Sequence, residues 1–350
     1  MKKFLKIILM LTLVLTVCMS FVACGADSDS DVKNVKGLHF KKAYDDNANA
    51  YYIVTGYTVE DGFDGKLTIP ADKEGIPVKE IKEKAFNENA NITEIVLPSS
   101  VTEIGAGAFA KMTKLGKITV PFVGKKVGAV DSARTLAHLF GTDAYDAGIA
   151  VTCSYDPSNS TTVYVPKTLT TVIVDSAENY EVPNYAFYGF KYLTTITLND
   201  KVAKIGDFAF NGCAKIATVN LNGVKEIGVS AFVGCDKLTA VTLGNSLTSV
   251  GKEAFKGLNI TELVITDTVT YVGDGAFENC EKLATLTLGA GYEDIRPYTF
   301  AGCKALTTIN PSSAVKNVYG GAFLDVPETH GSAVFPSAKL HDGWIAKSYE

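Results

Sequence analysis

Histidine and tryptophan are almost missing from this sequence, with four and one among 350 residues. Groups that titrate near neutral pH are the usual material of acid–base catalysis, so their scarcity argues against a hydrolytic or proton-shuttling site. Seven cysteines are present, but none stands in a C-x-x-C pair, which removes the common zinc layouts. Lysine and arginine never cluster, and the formal net charge is −5. Counterion release from a phosphate backbone needs such clusters, so nucleic acid is not an expected partner. Walker A, H-E-x-x-H and G-x-S-x-G strings do not occur. With 47% hydrophobic and 20% charged residues, the chain is not wholly disordered, collagen-like or a multi-span membrane protein. Threonine, valine, isoleucine and glycine are plentiful, which leans towards a β-rich structural or binding protein.

Residues 1–24 read MKKFLKIILMLTLVLTVCMSFVAC, with Lys2, Lys3 and Lys6 ahead of an apolar run, the layout of a secretory signal. The ending Phe21-Val22-Ala23-Cys24 resembles a bacterial lipobox, in which a cysteine is acylated and becomes the mature N-terminus. Phe21 departs from the leucine that pattern favours. Residues 1–23 are therefore expected to be a lipoprotein signal peptide and Cys24 the lipidation site, placing the protein at the outer face of the bacterial cell membrane or on the cell surface. Removing residues 1–23 takes away three lysines and no acids, leaving 30 basic against 38 acidic residues and a charge of −8. Residues 24–37 are polar and acidic, suited to a solvated tether. Asp27, Asp29 and Asp31 imitate the start of a calcium loop, but Val32 and Leu38 stand where its glycine and glutamate belong.

Self-similarity fixes the fold class. Phe86, Phe109, Phe187, Phe210, Phe232, Phe255, Phe277, Phe300 and Phe323 are spaced by 22 or 23 residues, apart from one gap of 78 after Phe109. In LTTITLNDKVAKIGDFAFNGC, beginning at Leu193, the residues Leu193, Ile196 and Leu198 give L-x-x-L-x-L, alternating at its end as a strand does. Val202 and Ile205 add a second apolar pair. Gly206 then stands where a turn needs freedom from Cβ strain, before Ala209 and Phe210 on a short turn or helix. No unit buries such a face alone, so the expectation is a right-handed leucine-rich-repeat solenoid. Its units pair into a curved parallel β-sheet, short helices or turns occupy the other side, and the phenylalanines form an internal spine.

The unit at residues 92–109, ITEIVLPSSVTEIGAGAF, resembles the BspA-like leucine-rich repeat of bacterial surface proteins, and the resemblance runs over about residues 50–325. Ordinary leucine-rich repeats carry an asparagine ladder after the strand, and here Ser100, Lys201, Gly223 and Ser246 occupy that neighbourhood. The resemblance implies non-catalytic adhesion or recognition of a host matrix or other surface protein, with no cofactor.

Residues 38–80 are expected to cap the solenoid of residues 81–325 at its N-terminal end, and residues 326–350, with Trp344, form a C-terminal cap or tail. An insertion at about 116–184 contains Phe140 in an anchor slot. It reads as one or two stretched units whose loops, around 122–133 and 143–162, bulge outward as binding loops or as tolerated insertions.

GAGAFA at residues 105–110 matches a dinucleotide pattern, but Gly105 and Phe109 fill ordinary repeat slots. His39, His138, His330 and His341 are scattered. Cys213, Cys235, Cys280 and Cys303 each follow an anchor phenylalanine by three residues, a slot filled elsewhere by Met112, Phe190, Leu258 and Val326, so they read as buried small hydrophobes. No metal site is expected. Binding then falls to the surface. Outward strand positions form columns: Thr195 and Thr197, Thr218 and Asn220, Ala240 and Thr242, Glu262 and Val264, Thr285 and Thr287, Thr308 and Asn310. Threonine is also simply a good strand former. The alternative function is capture of a glycan or nutrient, for which Tyr145, Tyr155 and Tyr164 are the aromatic candidates. The oligomeric state is left open.

Overall fold

The computed structural model describes residues 36–327 and 334–344. The signal segment, Cys24, the tether up to residue 35 and His330 lie outside the described residues.

Each turn of the coil starts on the L-x-x-L-x-L segment. In Thr195–Leu198, Thr195 and Thr197 are exposed while Ile196 and Leu198 are buried, the period-two pattern of a strand with one wet face. This strand pairs in parallel with Thr171–Val174, and the ladder continues through Lys117–Val120 and Glu94–Val96 to Lys66–Thr68. Later turns supply Glu262–Ile265, Thr285–Leu288 and Thr308–Asn310, a second parallel piece of the same face.

The second apolar pair of each unit also becomes a strand. Val202–Ile205 stacks between Tyr180–Val182 and Glu226–Ile227, followed by Ser249–Val250 and Tyr271–Val272. Asp294–Ile295, Asn317–Val318 and Lys339–Leu340 form a further parallel ladder. The coil therefore has two parallel faces where a single sheet was expected. Strands of two to four residues are too short to announce themselves in sequence; stacking on the neighbouring turn completes them.

Turns make the remaining side, and where helices were placed there as an alternative the described residues show the 3-10 segments Asp131–Arg134 and Leu136–Leu139. These turns are themselves hydrogen-bonded from one unit to the next: the Phe210 N–H donates to the Ala231 carbonyl at 2.9 Å, and Phe232 does the same to Ala254 at 2.8 Å. Residues two before and two after an anchor adopt left-handed backbone, as Phe208 (φ 55) and Gly212 (φ 77) do around Phe210. That conformation costs a residue with a Cβ about 1 kcal/mol, which favours glycine in the second slot. Gly206 serves differently. Its φ is ordinary, but a Cβ there would sit 2.5 Å from the Asn184 backbone nitrogen, so close approach of successive turns demands glycine.

Inside, Phe187, Phe210, Phe232, Phe255 and Phe277 are fully buried, and their rings stack at 5.1, 5.0, 5.1 and 5.3 Å between neighbours. Cys213, Cys235, Cys280 and Cys303 are buried free thiols, as their slot implied.

At the N-terminal end Leu38–Tyr44 and Ala50–Tyr57 form an antiparallel hairpin, and Ala50–Tyr57 pairs in parallel with Ile76–Ile81. At the other end the Phe323 N–H donates to the Trp344 carbonyl at 2.9 Å, and the Trp344 ring meets Phe323 edge-on at 6.1 Å. Lys339–Leu340 also pairs in parallel with Asn317–Val318 of the preceding turn. The insertion is more orderly than loops bulging outward. Lys117–Val120 and Thr171–Val174 are ordinary strands of the first face. Leu139 accepts from the Phe109 N–H at 2.9 Å, as the alanine before an anchor does, but Phe140 is not the next anchor: the Leu136 N–H, not that of Phe140, donates onward to the Ala186 carbonyl at 2.8 Å. The Tyr180 hydroxyl accepts from the Val123 N–H at 2.8 Å, bridging a missing ladder step. Most of residues 143–162 belongs to an antiparallel hairpin, Gly148–Ser154 with Ser160–Pro166, whose Val151, Cys153, Val163 and Val165 point into the core.

Candidate recognition surface

The outward side chains of the first face fall into rows set by strand register. Glu262, Thr285 and Thr308 are direct neighbours, and Val264, Thr287 and Asn310 form the adjacent row. Asn310 Nδ2 donates to Thr287 Oγ1 at 3.0 Å, locking two members of that row together. Thr195 and Thr197 lie beside Thr171 and Ile173 on the other piece of the face. All are solvent-facing, with Thr285 and Thr287 half-buried.

Between the two pieces the ladder opens. Among the described residues, the backbones of residues 217–220 and 239–243 take part in no main-chain hydrogen bond. At the first of these stretches the connection that follows is short, while at the second Leu243 and Leu247 keep the usual spacing of four. Leu221 and Val224 are three apart where Leu198 and Val202 are four apart, and the turn is drawn so close that a Cβ on Gly223 would lie 2.2 Å from the Asp200 carbonyl oxygen. Asn220 compensates in part, its Nδ2 donating to the Leu198 carbonyl at 3.3 Å and to Asp200 Oδ1 at 3.1 Å.

Beside this opening lies a depression of about 400 Å³, lined by residues 239–243 with Asn245, Thr261, Glu262, Val264 and Thr266. Thr242 and Glu262 meet there. Val264 is 46% exposed, a large apolar side chain held out to solvent among hydroxyls. The depression offers hydroxyl and amide hydrogen bonds, one carboxylate and an apolar spot. Thr239, Asn245, Thr261 and Thr266 were not singled out from sequence, because they sit just beyond the alternating positions. Among the described residues no cluster of His, Cys, Asp and Glu is placed to hold a metal ion.

The tyrosines of the insertion lie elsewhere. Tyr145 packs its ring over Gly148, its hydroxyl is buried, and burial pushes its phenol up to about 12. Tyr155 and Tyr164 are half-buried, and the Tyr155 carbonyl accepts from the Arg134 guanidinium. The hairpin that carries Tyr164 rests on the turn side, where Ile149, Val151 and Val165 meet Phe190 and Leu193.

A coil of two parallel ladders around a phenylalanine spine defines the class, a leucine-rich β-solenoid. The family model described as BspA type leucine rich repeat region matches six copies, over residues 72–129, 158–284 and 225–337. The chain belongs to the BspA-type leucine-rich repeat family. No curated protein matches it. Similar solved structures include a leucine-rich repeat protein from Bacteroides ovatus, at 20% identity, covering 80% of this chain and 76% of that one, with a TM-score of 0.38. A leucine rich cell surface protein from Faecalibacterium prausnitzii is 18% identical over 94% of this chain and 96% of its own, with a TM-score of 0.38. The pneumococcal vaccine antigen PcpA is 19% identical over 90% of this chain and 97% of its own, with a TM-score of 0.34.

Proposed function

We propose that this protein is a non-catalytic surface receptor or adhesin that binds another protein, a host matrix component or a bacterial surface protein, through the outward face of its first sheet. Membership of a leucine-rich surface-repeat family supports the reading. The observation that carries it is the depression beside the opened ladder, lined together by Thr242, Glu262 and exposed Val264. A face stacked from successive turns lets small contacts add over a broad area, which suits a protein partner better than a small molecule. Acylation at Cys24 belongs to the same proposal, because a tether from the membrane holds the coil where partners pass; Cys24→Ala is expected to abolish lipid labelling.

The test is direct binding of residues 34–350 to an array of matrix proteins, bacterial surface proteins and glycans. A saturable protein signal is expected, lowered about tenfold or more by Thr242→Lys with Val264→Lys, because charge placed in a desolvated contact opposes docking. A signal confined to glycans overturns the reading in favour of sugar capture. Unchanged affinity in that pair and in Thr218→Lys with Thr285→Lys overturns the choice of face.

A further inference from the structure

The sequence contains two Asn-Gly dipeptides, Asn211-Gly212 and Asn222-Gly223, and the fold treats them in opposite ways. Asn-Gly is the pair most prone to spontaneous deamidation, since glycine leaves its amide nitrogen unshielded for attack on the asparagine side chain. Attack requires that nitrogen to be free and the backbone to move. The Gly212 N–H donates to the Val233 carbonyl at 2.8 Å, inside the ladder that joins successive turns, and Asn211 Nδ2 reaches the Ser230 carbonyl at 3.4 Å. The attacking nitrogen of that pair is occupied, and the side-chain amide it would attack is tethered.

The Asn222-Gly223 pair occupies the centre of a reverse turn closed by the Val224 N–H donating to the Leu221 carbonyl at 3.1 Å. Among the described residues the Gly223 N–H has no acceptor and the Asn222 side chain, which is exposed, has no partner. The turn follows directly on residues 217–220, whose backbone lacks main-chain bonds. We infer that Asn222 is a self-modification site, at which the folded protein deamidates while Asn211 is protected. The Gly223 amide loses its proton to solvent base, and its nitrogen bonds to Cγ of Asn222. The Cγ–Nδ2 bond breaks, ammonia leaves, and water opens the resulting succinimide to an aspartyl or isoaspartyl residue at position 222. Water is the only co-reactant. The product places a new carboxylate next to the Asn220–Asp200 hydrogen bond, and its isoaspartyl form lengthens by one backbone atom the short connection between Leu221 and Val224.

The experiment incubates the intact protein at neutral and mildly alkaline pH and maps peptides by mass, following the change from amide to acid at each dipeptide, with a synthetic peptide of residues 216–227 as an unfolded reference. Conversion at Asn222, faster at the higher pH and exceeding that at Asn211 by about tenfold or more, is the expected result, because a ladder hydrogen bond must first open at Gly212. Asn222→Gln should remove most asparagine deamidation from the Asn-Gly pairs, whereas Asn211→Gln should leave conversion at Asn222 unchanged. Equal or faster conversion at Asn211 overturns the inference, as does an intact Asn222 when the reference peptide has converted.

Discussion

Arg296 stands in the slot that Gly273 fills one turn earlier, and the second parallel face is interrupted between them. A Cβ on Gly273 would lie 2.5 Å from the Lys252 backbone nitrogen, whereas one turn beyond Arg296 the same slot holds Tyr319, whose N–H donates to the Ile295 carbonyl at 2.9 Å in an intact ladder. At Arg296 the ladder of this face is broken. Tyr271–Val272 ends one ladder, Asp294–Ile295 begins the next, and the Phe277 and Phe300 rings stand 5.8 Å apart against 5.0 Å for Phe210 and Phe232. Arg296 covers the gap, its Nε donating to Asp274 Oδ1 at 2.7 Å with the guanidinium 5.4 Å over the Tyr271 ring.

Hydrogen exchange reads this seam directly. The Gly273 N–H donates to the Val250 carbonyl at 2.8 Å and is expected to be strongly protected, while the Arg296 amide exchanges near the rate of an open loop. The amides of residues 239–243 should also exchange fast, and those of Thr285–Leu288 slowly. Uniform protection across both openings would show that the two faces are continuous.

The thiol slot gives a chemical test. Cys213, Cys235, Cys280 and Cys303 donate weakly to the carbonyls of Phe187, Phe210, Phe255 and Phe277 at 3.1, 3.2, 3.4 and 3.4 Å. Burial pushes the Cys153 and Cys280 thiols up to about 12 and raises the other three as well, so thiolate is scarce at neutral pH. In residues 34–350 these five are the only cysteines, and none should react with a thiol reagent until the protein is unfolded. Rapid labelling of any of them in the native state would contradict the packing.

Much of this architecture was legible in sequence because a solenoid repeats its grammar. The phenylalanine interval gave the coil, and the interchange of Cys213 with Met112 and Phe190 gave a buried slot. The physics behind Gly206 was not legible: neighbouring backbone, not a dihedral angle, excludes a side chain there. The hairpin of Gly148–Ser154 and Ser160–Pro166 did leave a signal, the alternation of Val151 with Cys153 and Val163 with Val165 around Asp156, but the polar residues between them read as loop. The opened first face was hidden for another reason. The 22-residue interval from Phe210 to Phe232 shows that a residue is missing, and not that the backbones of residues 217–220 and 239–243 go without ladder bonds.

His138 provides a pH test. It is half-buried, with Nε2 3.0 Å from the Ile104 carbonyl, and desolvation lowers its pKa from 6.5 against the opposing pull of that hydrogen bond. Because the unfolded chain takes up the proton first, stability is full above about pH 6.5 and is lost as pH falls from there through the folded-state value. Replacing His138 by Gln keeps a donor for Ile104 and removes the titration. The stability difference between wild type and His138→Gln should therefore be constant above about pH 7.5 and move against the wild type on acidification, by at most about 1.4 kcal/mol per pH unit. A difference independent of pH would mean that the imidazole is solvated.

The phenylalanine spine is the sharpest test of the fold. Phe232 is fully buried, 5.0 Å from Phe210 and 5.1 Å from Phe255, with both neighbours within 8° of parallel. Its backbone is held by an N–H donated to Ala254, so the turn cannot collapse freely into a space left by the ring. Phe232→Ala is therefore expected to cost about 3 to 5 kcal/mol, the sum of lost apolar transfer and an unfilled cavity. Phe232→Leu, which refills most of the volume but breaks the stack, should cost less, about 1 to 2 kcal/mol. Denaturant unfolding of both variants measures the difference. In a coil whose turns contact only their neighbours, the damage should also be local, with exchange rates raised around residues 210–255 and little changed at Leu38–Tyr44. A cost for Phe232→Ala below about 1 kcal/mol would mean that the ring does not sit in a close-packed spine.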